Sequence, residues 1–302
     1  MKRKTLLIGI LFLLGSLSCQ LTIPSLPDVE IPDIELPDIE LPRLEVGEMQ
    51  EYDEMIPADG VTEAQVRIRF GVGEIALAAN DEESFFAGQF RTNVAEWAPE
   101  VDWEDGELWI EQGGGQGIPD PGADNQWHLE FSPDVSLDMD IDIGAGEGDL
   151  DFTGLSVESL ALDIGASDLM IHFDEPVSVG MERLEIRSGA ASIRLDGVGN
   201  ASPEQVRIEG GVGNMILDLG GDWANSSDMT VVVGAGSFTI YLPREIGVRV
   251  EVEGGLGNVE LGEGLSLSEG GYVNEAYGDT EIELLIELTV GVGNVELELA
   301  GE

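Results

Sequence analysis

The stretch LDMDIDIGAGEGDL, Leu137 to Leu150, decides the fold. Leu137, Met139, Ile141 and Ile143 alternate with Asp138, Asp140 and Asp142. A period of two is the signature of a β-strand with one buried face. Gly144-Ala145-Gly146 then interrupts the alternation. Glycine supplies a positive-φ or sterically tight corner at such a point. Beyond it Glu147, Asp149 and Asp151 continue the acidic pattern around Leu150. A strand, a corner and a second strand are therefore written into about 15 residues.

The phrase returns along the chain. Its glycine corners are Gly71-Val72-Gly73, Gly165-Ala166-Ser167, Gly189-Ala190-Ala191, Gly211-Val212-Gly213, Gly234-Ala235-Gly236, Gly255-Leu256-Gly257 and Gly291-Val292-Gly293. From Gly144 to Gly255 the leading glycines stand 21, 24, 22, 23 and 21 residues apart. A fixed period of this size means stacked repeats, each of which buries its apolar row only against its neighbours. The predicted fold is all-β: a single-stranded, β-helix-like β-solenoid with coils of about 21–24 residues. A β-sandwich with glycine-rich hairpins is the alternative, and the regular spacing favours the solenoid.

The step of 36 from Gly255 to Gly291 implies an insertion near Ser266–Asp279, and the step of 73 from Gly71 to Gly144 hides degenerate coils or a different subdomain. The expected organisation is a signal peptide at 1–19, an acidic proline-rich stalk at 20–50, an N-terminal β region at 51–135 and the solenoid at 136–302. Solenoid ends invite stacking, so the acidic strand Val295–Leu299 is expected to guard the C-terminal end.

Outward positions align between coils. Two residues before the leading glycines stand Asp142, Asp163, Arg187, Glu209, Val232 and Glu253. Four residues before stand Asp140, Ala161, Glu185, Arg207, Thr230 and Glu251. Arg187 and Arg207 thereby fall beside acids on neighbouring strands and relieve like-charge repulsion.

The N-terminus reads as an export signal. Lys2-Arg3-Lys4 precedes an apolar run, Thr5 to Leu14, too short to span ~30 Å of hydrocarbon. Gly15-Ser16-Leu17-Ser18 leads into Cys19, the sole cysteine, so no intramolecular disulfide forms. Small residues before that cysteine resemble a bacterial lipobox with Ser16 and Leu17 exchanged. Diacylglycerol attachment at Cys19 is expected; an ordinary signal with an incidental cysteine is the plainer alternative. Proline then recurs every fifth residue from Pro27 to Pro42, in three P-D-x-E-x phrases and a fourth, Pro42-Arg43-Leu44-Glu45-Val46; this spacing forbids helix and favours an extended spacer. The expected location is extracytoplasmic, lipid-anchored to the bacterial cell membrane.

Charge narrows the function. The 302 residues carry 13 Lys+Arg against 61 Asp+Glu, a formal charge of -48. Phosphate backbones and anionic headgroups repel such a chain, so no nucleic-acid partner is expected and membrane attachment needs an anchor. Lys2 and Lys4 are the only lysines, which removes phosphate-loop and Schiff-base chemistry from the exported part. His128 and His172 are the only histidines, which excludes multi-histidine metal sites within one chain. The apolar fraction of 42% is nevertheless that of a folded protein.

Ca²⁺ is the one cofactor the sequence suggests, with Asp138, Asp140, Asp142, Glu147, Asp149 and Asp151 as candidate ligands, because hard cations take clustered carboxylates. A solvated acidic face explains the same residues. The Ca²⁺-binding nonapeptide pattern starts at Gly210-Gly211-Val212-Gly213-Asn214 and again at Gly254-Gly255-Leu256-Gly257-Asn258, but Met215 and Val259 replace its aspartate. Gly144-Ala145-Gly146-Glu147-Gly148 lacks the third glycine and the helix of a dinucleotide loop. Any two of 61 acids are too common to mark a glycosidase, and no G-x-S-x-G elbow occurs. Trp97, Trp103, Trp109 and Trp127 cluster in the N-terminal half, with Trp223 beyond; they fill a core or an end, or stack on sugars.

Residues from about 50 to 299 resemble the bacterial toast-rack family. Phe86-Ala87-Gly88-Gln89-Phe90 with Trp97-Ala98-Pro99-Glu100-Val101 resemble its N-terminal domain. Leu137–Leu150, Leu160–Leu169, Tyr241–Val248 and Gly291–Leu297 resemble its coils. The family includes the C-terminal domain of LiaF-type cell-wall-active antibiotic response proteins and is related to adhesins of β-solenoid form. The resemblance implies a β-solenoid at the cell envelope, acting in stress signalling or adhesion. Antibiotic-response members carry membrane helices before this domain, where this chain has Cys19 and a stalk, which argues against direct signalling to a membrane kinase. The expected function is a non-enzymatic surface scaffold, adhesin or stress-sensing module with envelope proteins or glycans as partners. A Ca²⁺- or carbohydrate-binding module is the alternative, and a polysaccharide-active enzyme the third.

Overall fold

The computed structural model describes residues 43–80, 84–114, 117–177 and 180–300. They belong to one compact unit, Leu41–Glu302; the other unit, Met1–Glu40, lies outside the described residues, and with it Cys19, the signal segment and most of the stalk. No helix among the described residues is long and apolar enough to cross a membrane.

The strands are β1 (Arg43–Leu44), β2 (Val46–Pro57), β3 (Glu63–Ala79), β4 (Ser84–Val94), β5 (Pro99–Glu104), β6 (Glu107–Gln112), β7 (Ile118–Pro119), β8 (Asn125–Phe131), β9 (Ser136–Asp151), β10 (Ser156–His172), β11 (Arg183–Asp196), β12 (Gln205–Asp218), β13 (Ser227–Leu242), β14 (Gly247–Leu261), β15 (Ser266–Ser268), β16 (Gly271–Val273) and β17 (Glu283–Leu299). The long strands run parallel in the order β14-β17-β13-β12-β11-β10-β9-β3. This is an all-β, solenoid-like fold. Each long strand passes through its glycine corner unbroken, so one coil is one bent strand with a first arm before the corner and a second arm after it.

The coils stack in register. Ala145, Ala166, Ala190, Val212, Ala235 and Val292 pair in turn at the corner. Inside the first arm Ile68, Ile141, Leu162, Ile186, Ile208, Val231 and Leu288 form one buried row. Inside the second arm Leu77, Leu150, Ile171, Leu195, Leu217, Ile240 and Leu297 form another. Burying each such side chain contributes about 1.5–3 kcal/mol, so the rows carry most of the stability. Between arms the chain returns through short turns, where Phe152 and Phe173 stack with centroids 5.4 Å apart.

The corner demands glycine for two reasons. The second glycine takes a positive φ, 140° at Gly146 and 145° at Gly236. The stacked backbones also touch there: a Cβ on Gly146 would stand 1.9 Å from the Gly73 carbonyl oxygen, and one on Gly236 1.7 Å from that of Gly213. Ser167 and Ala191 fill the same place in β10 and β11 without a positive φ.

The irregular spacings have structural causes. After Gly71 the next rung is split: β6 pairs with the first arm of β3 and β8 with its second arm. β4 and β2 then continue antiparallel from β8, and β5 from β6. The insertion near Ser266–Asp279 is the β15–β16 hairpin, which pairs antiparallel with the first arm of β14 at Arg249 and Val250. The expectation that Val295–Leu299 guards the C-terminal end is corrected: β17 lies between β13 and β14, in register with both, and β14 with its hairpin forms that end. The 36-residue step leaves enough chain for the last strand to return inside.

At the other end, the proline phrase stops at Pro42, and residues 43–50, read as part of the stalk, lie in or beside strands β1 and β2. Leu44, Val94 and Trp97 pack together there and cover Val72. Trp127 and Trp223 are also buried, while Trp109 is exposed beneath the Arg67 guanidinium, 4.6 Å from its ring centre. The tryptophans thus mainly fill core and end positions.

Candidate functional site

The bent strands present two outer faces, one per arm. The candidate Ca²⁺ ligands divide between them. Asp138, Asp140 and Asp142 point outward from the first arm of β9; Glu147, Asp149 and Asp151 do so from its second arm, beyond the corner. The structure does not bring the six together, and among the described residues no group of three or more His, Cys, Asp or Glu side chains is placed to hold a metal ion.

On the first-arm face arginines sit among the acids. Arg69 stands 3.1 Å from Asp140 and 2.9 Å from Asp142. Arg187 bridges Asp163 at 2.9 Å and Glu185 at 2.8 Å, and Arg207 bonds Glu209. Arg187 and Arg207 hold the places the sequence alignment of outward positions anticipates. Burial pushes the Asp142 carboxyl above its usual range; Arg69 opposes this, and Asp140 and Asp163 add to it.

The second-arm face forms an open trough of about 730 Å³. Two rows of side chains cross it along the solenoid axis. The first is Gln126, Glu74, Glu147, Asp168, Ser192 and Asn214, and the second is His128, Ala76, Asp149, Met170, Arg194 and Ile216. β4 adds Gln89 and Arg91 at the margin. Glu74, Glu147 and Asp168 are thus exposed acids on adjacent strands, about 4.8 Å apart along the ladder. Among the described residues no ion pair joins them to a cation. The trough's arginines are engaged with other groups: Arg194 with Asp196 at 2.6 Å, and Arg91 with Glu51 at 3.3 Å and with Gln126 Oε1 at 3.4 Å. Ala76, Met170 and Ile216 make an apolar floor.

Beside the trough, His172 Nε2 lies 2.9 Å from Asp149, with Nδ1 3.6 Å from Asp174 and 3.9 Å from Asp151. Burial alone would pull its pKa down, but the hydrogen bond to Asp149 and the charges of Asp151 and Asp174 push it above the usual histidine value.

Sequence reading placed the alternation and the Arg–acid pairs. It missed Gln89, Arg91, Gln126 and His128 as trough residues. They come from β4 and β8, whose sequences carry no glycine corner to announce their place in the stack.

Parallel coils bent at a stacked glycine corner define a β-solenoid protein with two lateral faces. The sequence pattern described as the N-terminal domain of toast_rack, DUF2154, matches residues 45–196 and again 177–241. That spans more than half of the chain, which therefore belongs to the toast-rack family. Among solved structures, a "putative cell adhesion protein" from Clostridium sporogenes is similar at 21% identity and TM-score 0.47, over 84% of this chain and 100% of its own. A "putative adhesin" from Bacteroides fragilis is similar at 12% identity and TM-score 0.45, over 84% of this chain and 99% of its own. No curated protein matches the chain.

Proposed function

We propose that the chain is a non-enzymatic scaffold of the cell envelope, adhesin-like in mode of action, lipid-anchored through Cys19 and held off the membrane by the proline-rich stalk. The observation that carries this reading is the solenoid itself: a stacked apolar core bearing two long lateral faces, which suits display to partners. Its outward acids run in ladders along the stacked strands, which supports a charged display surface. The three groups around His172 are all acids, which supports a charge network and not an activated nucleophile.

The anchor is tested by Cys19→Ala in the full chain. Two or more acyl chains hold a protein stably, at ~0.8 kcal/mol per buried CH₂. The variant is expected in the soluble extracytoplasmic fraction while the parent stays with membranes; a variant that remains membrane-bound overturns lipidation.

A further inference from the structure

We propose that the second-arm trough is a docking channel for an extended, basic peptide segment of a partner protein. This deepens the scaffold reading by naming the partner's chemistry. The trough offers length, apolar surface and a line of carboxylates without ion-pair partners, its Arg91 and Arg194 being paired with Glu51 and Asp196. It crosses the coils from β8 to β12, so an extended chain lies along the solenoid axis. Glu74, Glu147 and Asp168 make a line of carboxylates with a spacing of about 4.8 Å per strand. Side chains on one face of an extended peptide recur about every 7 Å, so two lysines or arginines reach this line from adjacent same-face positions. Their aliphatic stems pack on Ala76, Met170 and Ile216, as long cationic side chains do on apolar surface. Met170 is 47% exposed, so it is free to be covered. Gln126 and Asn214 bracket the line and suit hydrogen bonds to peptide groups.

On the other face Arg69, Arg187 and Arg207 stand among the stacked acids and pair with Asp140, Asp142, Asp163, Glu185 and Glu209. A sugar fits the trough less well. Trp127, the aromatic residue at its wall, is 2% exposed and is wedged edge-on against Phe70 and Phe90, so it offers no stacking face.

The test is fluorescence anisotropy of a labelled octapeptide alternating Lys and Ala, at low salt, against a Glu/Ala octapeptide. The Lys peptide is expected to bind and the Glu peptide not to. The triple variant Glu74→Gln, Glu147→Gln, Asp168→Asn is expected to weaken binding roughly tenfold or more, from three lost charge contacts. A first-arm triple, Asp138→Asn, Asp228→Asn, Glu287→Gln, removes the same net charge and is expected to stay within about twofold. Both variants are first shown to keep the parent's circular dichroism and to melt no lower than the parent. Absence of Lys-peptide binding, equal loss in both triples, or equal binding of the Glu peptide overturns the proposal. Such a failure with Cys19-dependent membrane retention intact would leave the scaffold reading standing.

Discussion

The two arms of each coil share a corner, a core and a register, yet treat their acids in opposite ways. On the first arm, acids stacked on adjacent strands are interleaved with Arg69, Arg187 and Arg207. On the second arm, Glu74, Glu147 and Asp168 stack with no cation between them. Stacked like charges destabilise a sheet. The first arm thus answers many of its acids for stability, while the second holds an unneutralised row beside an open trough of about 730 Å³. A surface serving only solubility needs no such asymmetry.

The strongest way to break this comparison is to remove what both faces share. Gly236→Val puts a side chain against the Gly213 carbonyl at φ 145°, and is expected to cost more than about 4 kcal/mol in denaturant unfolding, collapsing both faces together. Gly210→Ala is the contrast: no atom lies nearer than 3.7 Å to its added Cβ, so a change under about 1 kcal/mol is expected. A corner tolerant of Gly236→Val would refute the backbone-contact account.

The faces are next separated by sign. Arg69→Ala strands Asp140 and Asp142 and should lower stability by about 1 kcal/mol, the sum of two partly exposed pairs. Glu147→Gln should raise it by about 0.5 kcal/mol by relieving the ladder. Both effects should shrink in about 0.5 M salt, because surface charges are screened. Equal signs for the two variants would erase the distinction between the faces.

A smaller effect is pH-dependent. His172 has a folded pKa above its unfolded value, so its contribution is complete below about 6.5 and fades as pH rises through the folded value. The parent should therefore lose more Tm between about pH 6 and about pH 8 than His172→Gln does. Identical pH profiles would show that the surrounding acids do not act on it. The smallest expected effect is that of Ca²⁺. Because the six candidate carboxylates divide across the corner, millimolar CaCl₂ should move Tm no more than NaCl of equal ionic strength; a larger rise would reveal a specific site, since a ligand of the native state must stabilise it.

Much of this architecture was legible in local pattern. The alternation Leu137-Asp138-Met139-Asp140 names the inward row and the outward acids at once, and the glycine spacing names the coil. Arg187 and Arg207 were found beside acids because outward positions are countable from the corner. Three things escaped. The split rung made by β6 and β8 carries no repeat, because two unrelated segments there do the work of one coil. The place of β17 is set by which neighbours bury Leu288 and Leu297, not by chain order. The trough is a property of sheet curvature across several strands, and no single stretch such as Trp127-His128-Leu129-Glu130 encodes it.

The position of β17 has a consequence for biogenesis. A solenoid wound in chain order could close rung by rung as it emerges during synthesis or export. Here β14 precedes β17 in the chain but lies outside it in the stack, so β14 cannot take its final neighbour until β17 has been made. β17 works as a keystone: chains interrupted before it would lack an inner course, leaving β13 and β14 each with an open edge, and would be marked as unfinished by their own exposed backbone.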